Sequence, residues 1–500
     1  MSTGTNPNLP LIPPASAALE NKNFAFPQLK NIPSDLSLPM LKVFSYGGPG
    51  DVQGVPSTLE VLVKRLGTDV HWFSVESQEK EATASSAALR NLSFSIYETK
   101  NSNAGFTFHG AKLSKDIIEK HKRVCTNYLW PLFHAMPEHA RFNLEDWRAY
   151  KQVCQELAAQ SQSVTGTSFP SISWIHDFQF ALSAPSMSFE HGVVVCQFWH
   201  IPWPDAKLIA DSRVGVEIVQ SLLANTLLGF HTLEYAVNFM DTVAYLFADA
   251  ELDAEKLQVR YKGRTTRLKV LPLGLDLDRW QKLAMKARPK AESLAVQHRL
   301  SNFIMLGVDR LDYSKGVLEK LLGLEYFLED NKEYLRRFHY VQITQSPQSD
   351  DISYRSYSQA VKDKIAEINS KFEVDGWKPI LHLDGLMSQE DLAAWYQAAS
   401  VMAVNSLKDG LNLIAKEFVS CRLDQQGVLI LSKEAGCANE LKSGAVIVDP
   451  SNPREFAKAL SFSFSMSVEE KRRRIGSMRH ALGWNQLHDW ALNFLAEAID

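Results

Sequence analysis

Short apolar runs separated by amphipathic stretches recur along this chain in two successive series, and few architectures accommodate that alternation. In the first series the runs Leu41 to Tyr46, Val70 to Val75, Ile172 to Ile175 and Val193 to Trp199 read as strands buried on both faces. Helical patterns at Leu59 to Leu66 and Asp146 to Ala159 lie between them. The second series follows Leu271-Pro272-Leu273-Gly274. It has runs at Phe303 to Leu306, His339 to Ile343, Ile380 to Leu383, Val401 to Val404, Val428 to Leu431 and Ala445 to Val448. Helical stretches at Val317 to Leu328, Gln389 to Ala399 and Leu413 to Cys421 separate several of these. Strands alternating with helices predict parallel sheets covered by helices, so the fold class is α/β with two doubly wound Rossmann-like domains. The length of 500 residues agrees, being more than one hydrophobic core organises.

The expected division has four parts. Residues 1–39, rich in Pro, Ser, Asn and Ala, read as a disordered extension. Residues 40–275 form an N-terminal Rossmann-like domain and 300–477 a C-terminal one. A helix over 478–500 returns to the first domain. Ligands of open parallel sheets bind beyond the carboxyl ends of the strands, so the site is expected in the cleft between two such domains.

Bulk properties exclude several classes. The net charge of −4 is spread without long single-sign runs, which speaks against nucleic acid and membrane surfaces as partners. Five scattered cysteines without CxxC spacing fit neither a disulfide framework nor a zinc site. With no stretch of 18 uncharged apolar residues and no leader-like N-terminus, a cytoplasmic location is expected.

The strongest local pattern is Gly307-Val308-Asp309-Arg310-Leu311-Asp312-Tyr313-Ser314-Lys315-Gly316, directly after an apolar strand. Arg310 offers a planar fork, Lys315 a point charge and the next helix an electropositive N-terminus, a combination suited to a diphosphate. The competing reading is a solvated loop whose cations pair with Asp309 and Asp312. A second pattern runs from Ser406 to Glu417. Asp409, Gly410, Leu411, Asn412, Leu413, Ile414, Ala415 and Lys416 present a carboxylate, backbone amides and a helix start to a sugar. Glu417 lies one turn along, in reach of ribose hydroxyls, as a plain acceptor with no raised pKa. The alternative is an ordinary helix cap.

In the first half, Trp174-Ile175-His176-Asp177-Phe178 and Phe198-Trp199-His200-Ile201-Pro202-Trp203-Pro204 end apolar strands in polar and aromatic groups. Asp177 and His200 then share one sheet edge, although a single His is more often structural. Trp130, within Tyr128 to His134, can stack on a sugar or serve as core. The glycine-rich stretch Gly47 to Gly54 precedes a helix and can approach phosphates or form a plain turn. No HExxH motif and no DxD pair placed for a divalent metal is present, so metal-independent chemistry without a cofactor is expected.

Taken in order, WIHDF, HIPWP, LLGFHT at Leu227 to Thr232, GVDRLDYSKG, SLKDGLNLIAKEF and GVLILSKEAG at Gly427 to Gly436 closely resemble the trehalose-phosphate-synthase family of glycosyltransferases, over roughly residues 40–495. The resemblance implies a GT-B fold and metal-independent transfer, with retention, from a nucleotide-glucose. It makes Arg310 and Lys315 the diphosphate clamp and Asp409 with the Gly410 to Leu413 backbone the glucose holder. Glu417 becomes the ribose ligand, and His200 and Asp177 face glucose and acceptor. In that family an Arg after the first strand and another after the strand equivalent to His339 to Ile343 grip the acceptor phosphate. Here those places read Ser45-Tyr46-Gly47-Gly48 and Ser346-Pro347-Gln348-Ser349, and His121 stands where an aromatic residue is usual. The related glucosylglycerol-phosphate synthases use a smaller acceptor. Glycerol 3-phosphate is therefore the expected acceptor, in compatible-solute synthesis and osmoprotection. Glucose 6-phosphate, a pseudoglycosyltransferase and a non-catalytic regulatory subunit are the alternatives.

Overall fold

The computed structural model describes residues 38–48, 54–77, 96–101, 105–164, 171–188, 192–345, 349 and 351–499. Most of the 1–39 extension, Pro49 to Gln53 and Ser346 to Gln348 lie outside the described residues. The chain divides into two compact units, residues 1–271 with 491–500, and residues 272–490.

The first unit is built on one sheet. Its order is Ile96–Asn101, Phe106–Leu113, Val70–Ser77, Met40–Phe44, Ser171–His176, Val193–Trp199, Leu227–Phe230, Arg264–Val270, Gln258–Tyr261, Glu251–Asp253. The interior strands pair in parallel, and antiparallel strands close both edges. The chain moves outward from Met40–Phe44 on one side and from Ser171–His176 on the other, so the topological switch point lies between those strands. Continuous burial along Met40–Phe44 and Ser171–His176 is the pattern of strands covered on both faces. Helices such as Leu144–Gln162, capped by the Asn143 side chain, supply that cover.

Sequence patterning predicts one helix over residues 478–500. Two are present, Val468–Gly483 and Leu487–Ile499. The tail of the second packs on the first unit's sheet, with Phe494 5.7 Å from Trp174 and Glu497 2.8 Å from the Lys269 ammonium. Gly229 makes room for it: a Cβ there would stand 2.3 Å from the Phe198 ring and 2.8 Å from Phe494.

The second unit holds six parallel strands in the order Ile380–Asp384, Phe338–Gln345, Phe303–Arg310, Val401–Val404, Val428–Ser432, Val446–Val448. Its strand order reverses between Phe303–Arg310 and Val401–Val404. The segments that leave these two strands therefore flank the crevice where a ligand is expected. Among the described residues no helix is long and apolar enough to cross a membrane.

Candidate active site

In the second unit the strand Phe303–Arg310 runs four residues further than the apolar pattern predicts, which puts Asp309 and Arg310 on its carboxyl end. Asp309 points inward. Its Oδ2 accepts from the Lys320 ammonium at 2.6 Å and from Gln342 Nε2 at 3.0 Å, and Lys320 and Gln342 are wholly buried. Tyr340 donates to Gln342 in turn. A buried ion pair is worth little in net stability, but losing one partner strands a charge in low dielectric. The cluster therefore pins the root of the segment that carries Arg310 and Lys315.

Beyond Arg310 the chain turns sharply. The Asp312 carboxylate accepts from the Ser314 amide at 2.9 Å and hydroxyl at 2.8 Å, capping the short turn Tyr313–Lys315. Gly316 follows at φ 60, ψ 35, and a Cβ there would meet the Asn405 carbonyl oxygen at 2.2 Å. Only glycine suits both constraints. The helix Val317–Asp330 starts here, but the Tyr357 hydroxyl accepts from its first two amides, at 2.9 and 3.4 Å. The electropositive helix end expected from the sequence is thus already satisfied in this protein, which leaves Arg310 and Lys315 as the cations of the segment.

The second segment meets the first directly. Lys315 Nζ lies 2.7 Å from Asp409 Oδ2, which also accepts from Ser406 Oγ at 3.0 Å and Asn412 Nδ2 at 3.1 Å. The loop reading predicted that the two cations pair with Asp309 and Asp312. Arg310 does pair with Asp312, at 3.8 Å, whereas Lys315 pairs with Asp409. Asn412, at φ 75, ψ 89, caps the helix Leu413–Cys421 by accepting from the Ala415 amide at 3.1 Å. The capping alternative therefore holds for Asn412, whose other end still touches Asp409. Gly410 lies on this turn, Leu411 and Ala415 have buried side chains, and Leu413 and Ile414 are half-buried at the helix start.

Two expectations for this helix need correction. The Lys416 side chain is fully buried, 2.5 Å from Glu440 and 2.8 Å from the Leu273 carbonyl oxygen, so its ammonium serves the interior rather than a ligand. Glu417 is not an ordinary carboxylate. Loss of solvation pushes its pKa from 4.5 up to about 7, against the opposing pull of a Tyr396 hydroxyl that donates to it at 2.9 Å and of Arg279. The Tyr396 bond leaves Glu417 positioned to accept further hydroxyls. On the sequence-based expectation that a nucleotide-glucose binds here, Asp409→Asn and Glu417→Gln should weaken its binding by roughly tenfold each, the loss of one hydrogen bond to a charged group. Calorimetry on folded protein checks this, and unchanged affinity in both would remove the two from the donor site.

In the first unit the polar groups gather at the carboxyl ends of neighbouring strands. Gly47, at φ 103, donates its amide to Ser74 Oγ at 3.2 Å, and Gly54 begins the helix Gly54–Val63. Tyr46 stacks on His121 with ring centroids 5.4 Å apart, and burial lowers the His121 pKa to about 4. Trp130 is half-buried, stacked on His134 at 3.9 Å and tilted against Phe178 at 6.3 Å. A π-helical turn, Val124–Leu129, delivers it.

Asp177 adopts φ 65, ψ −169, a conformation that non-glycine residues avoid and that surrounding structure must impose. Its Oδ1 accepts from the His200 amide at 3.0 Å, and its carbonyl accepts from Gln197 Nε2 at 2.9 Å. Desolvation raises its pKa from 3.8 to about 7 despite the backbone amides that donate to it. The His200 ring does not project into open space. His176 Nδ1 lies 3.0 Å from its Nε2 and His231 Nε2 lies 3.2 Å from its Nδ1. A sugar hydroxyl reaches that ring only by displacing an imidazole, which corrects the expected direct role. His176 and His231 carried no role in the sequence reading, although His176 closes a strand and His231 directly follows one, each in a quoted motif. Among the described residues no group of three His, Cys, Asp or Glu side chains is placed to hold a metal ion.

The family model for glycosyltransferase family 20 matches residues 49–500. The chain belongs to glycosyltransferase family 20. One relative of this family-20 chain is the bifunctional trehalose-6-phosphate synthase/phosphatase of Thermoproteus tenax, 32% identical over 401 residues, covering 79% of this chain and 54% of that protein. The UDP-forming α,α-trehalose-phosphate synthase of Candida albicans is 29% identical over 444 residues, covering 85% and 91%. The chain spans about half the length of the first curated relatives, 54% and 42%. Among solved structures, the Burkholderia xenovorans α,α-trehalose-phosphate synthase in complex with glucose 6-phosphate matches with TM-score 0.83 at 25% identity, covering 93% of this chain and 100% of that one. An Escherichia coli structure bound with UDP-2-fluoro glucose gives 0.83 at 25% identity, covering 92% and 98%. The two Rossmann-like units are those of the GT-B fold.

Proposed function

We propose that this family-20 protein is a retaining glucosyltransferase that moves glucose from UDP-glucose to the anomeric hydroxyl of glucose 6-phosphate. The observation that carries the reading is the joining of the two donor segments: Lys315 and Asp409 meet at 2.7 Å beside Arg310, at the switch point of the second sheet. In transfer the bond from glucose C1 to the diphosphate oxygen breaks and a bond from C1 to the acceptor oxygen forms. The departing diphosphate takes the acceptor's proton. Arg310 and Lys315 stabilise the negative charge that grows on it, and no enzyme carboxylate forms a covalent bond. Asp409 and Asn412 accept and donate at the glucose hydroxyls, Glu417 at the ribose, and Asp177 and Trp130 border the acceptor.

The smaller acceptor expected from the sequence gives way here. The relatives are named for trehalose-phosphate synthesis, and a solved relative holds glucose 6-phosphate. Of the three departures that suggested glycerol 3-phosphate, the one at Ser346 to Gln348 lies outside the described residues.

A donor-by-acceptor panel tests the reading, with UDP-, ADP- and GDP-glucose against glucose 6-phosphate and glycerol 3-phosphate and products read by mass spectrometry. The expected result is a kcat/KM for UDP-glucose with glucose 6-phosphate of about 10⁴ M⁻¹s⁻¹ or more, an ordinary enzymatic value. It should exceed the glycerol 3-phosphate value at least tenfold. A reversed order would restore the three-carbon acceptor, and no product with either would overturn the proposal.

A further inference from the structure

Three buried imidazoles lie side by side where the backbone ladder of the first unit's sheet ends. His176 closes the strand Ser171–His176, His200 follows Val193–Trp199, and His231 follows Leu227–Phe230. The last ladder pairs here are His176 with Phe198 and Trp199 with Phe230. Past them the rings continue the connection across three strands, at 3.0 Å from His176 to His200 and 3.2 Å from His200 to His231. Their exposures are 1%, 7% and 3%. Burial holds His176 well below the usual imidazole pKa and His200 down at about 3, so both are neutral.

A neutral imidazole has one N–H and one lone pair, so a file of them runs in a single direction. The direction follows from its closed end. His176 Nε2 is buried with no hydrogen-bond partner among the described residues. A buried lone pair without a donor is tolerated better than a buried N–H without an acceptor. The His176 hydrogen therefore sits on Nδ1 and is donated to His200 Nε2. His200 in turn carries its hydrogen on Nδ1 and donates it to His231 Nε2.

We infer that His176 and His231 are positioning residues that fix the His200 ring in the Nδ1–H tautomer and so anchor the strand end whose backbone amide holds the Asp177 carboxylate in place for the acceptor. Asp177 follows His176 directly, and its carboxylate is held by the His200 amide at 3.0 Å. Its amide donates to the Phe198 carbonyl at 2.7 Å. Its backbone at φ 65 persists only where neighbours determine it, and the imidazole file locks both strand ends beside it. The acceptor half of this inference rests on the proposed function, whereas the tautomers do not.

Two measurements test it. In wild-type protein labelled at histidine nitrogens, NMR is expected to show His176 and His200 as Nδ1–H tautomers with nitrogen–nitrogen couplings across both hydrogen bonds. Nε2–H tautomers or missing couplings would overturn the file. In kinetics, His231→Phe keeps a ring but removes the acceptor nitrogen. It should raise the KM of the acceptor roughly tenfold and leave that of UDP-glucose within about twofold, the cost of one buried donor left unpaired. His231→Gln, whose Oε1 can accept the His200 N–H, should recover most of the loss. Equal effects on both substrates, or none on the acceptor, would overturn the positioning role. Running glycerol 3-phosphate in parallel separates the two failures: a protein that uses only that acceptor sinks the proposed substrate but still reports on His231.

Discussion

Arg310→Ala and Lys315→Ala are each expected to lower kcat/KM by about 10²-fold or more, mostly in kcat, because each removes a charge-assisted contact that strengthens as the diphosphate departs. The two variants should differ in stability. Arg310 pairs at 3.8 Å with Asp312, whose side chain is only 3% exposed and which keeps the Ser314 amide and hydroxyl as donors once the guanidinium is gone. Lys315 is the cation on Asp409, with side-chain exposures of 13% and 11% for the pair, so truncation leaves a nearly buried carboxylate held by Ser406 and Asn412. A loss of about 3 kcal/mol is the usual scale for such a stranded charge. Both variants should therefore lower Tm, Lys315→Ala the more because its ion pair is the closer at 2.7 Å against 3.8 Å, and Lys315→Ala with Asp409→Asn should regain Tm without regaining turnover. Near-normal kcat in both folded single variants would remove the clamp.

The parts of this molecule that were legible in the sequence are those where a property of the isolated segment decides the outcome. Val401–Val404 is a continuous apolar run and Val193–Trp199 is one broken only by Gln197, and they form strands with the expected limits because burial on both faces favours such runs. Leu227–Phe230 was missed as a strand, being four residues long with a glycine, and that glycine is needed by a helix from the far end of the chain. The strands Gln258–Tyr261 and Arg264–Val270, next to the edge strand Glu251–Asp253, bury only single side chains such as Val259 and Leu268 between exposed or half-buried ones, so they have no continuous apolar signature.

The site divides in the same way. Arg310, Lys315, Asp409 and Asn412 stand out because charged and turn-forming residues directly after apolar strands are unusual. What they do to one another was not readable, since the ion pair joins residues 94 positions apart. Lys320 illustrates the limit. In sequence it is a lysine in an amphipathic helix, a setting that reads as solvated, whereas packing buries it entirely against Asp309. Tyr357 gave no signal either, yet its hydroxyl closes the helix end that the Gly316 pattern advertised.

Asp177→Asn is expected to change how stability depends on pH, with a sign that follows from the raised pKa. The native carboxyl has a pKa of about 7 against 3.8 when unfolded, so between those values the folded state binds the extra proton. Stability carried by this group is fully present below pH 3.8, falls as pH rises towards 7 and levels off above it. Buried histidines act in the opposite sense at lower pH. His121 at about 4 and His200 at about 3 are neutral in the folded protein, and unfolding lets them take up protons below about pH 6.5. The raw pH profile therefore mixes both signs, and the difference between wild type and Asp177→Asn isolates the carboxyl. Between pH 5 and 8 the variant should gain roughly 2 to 3 kcal/mol relative to wild type, two pKa units at about 1.4 kcal/mol each. Urea unfolding of both proteins at the two pH values measures it. A difference that stays constant would show that Asp177 is ionised throughout, held by the His200 and neighbouring amides more strongly than burial opposes. The gain should come with a loss of acceptor binding, because an amide cannot replace the charge that a sugar hydroxyl donates to. Activity and stability would then move in opposite directions at one residue, as expected where a strained backbone and a desolvated carboxylate are kept for function.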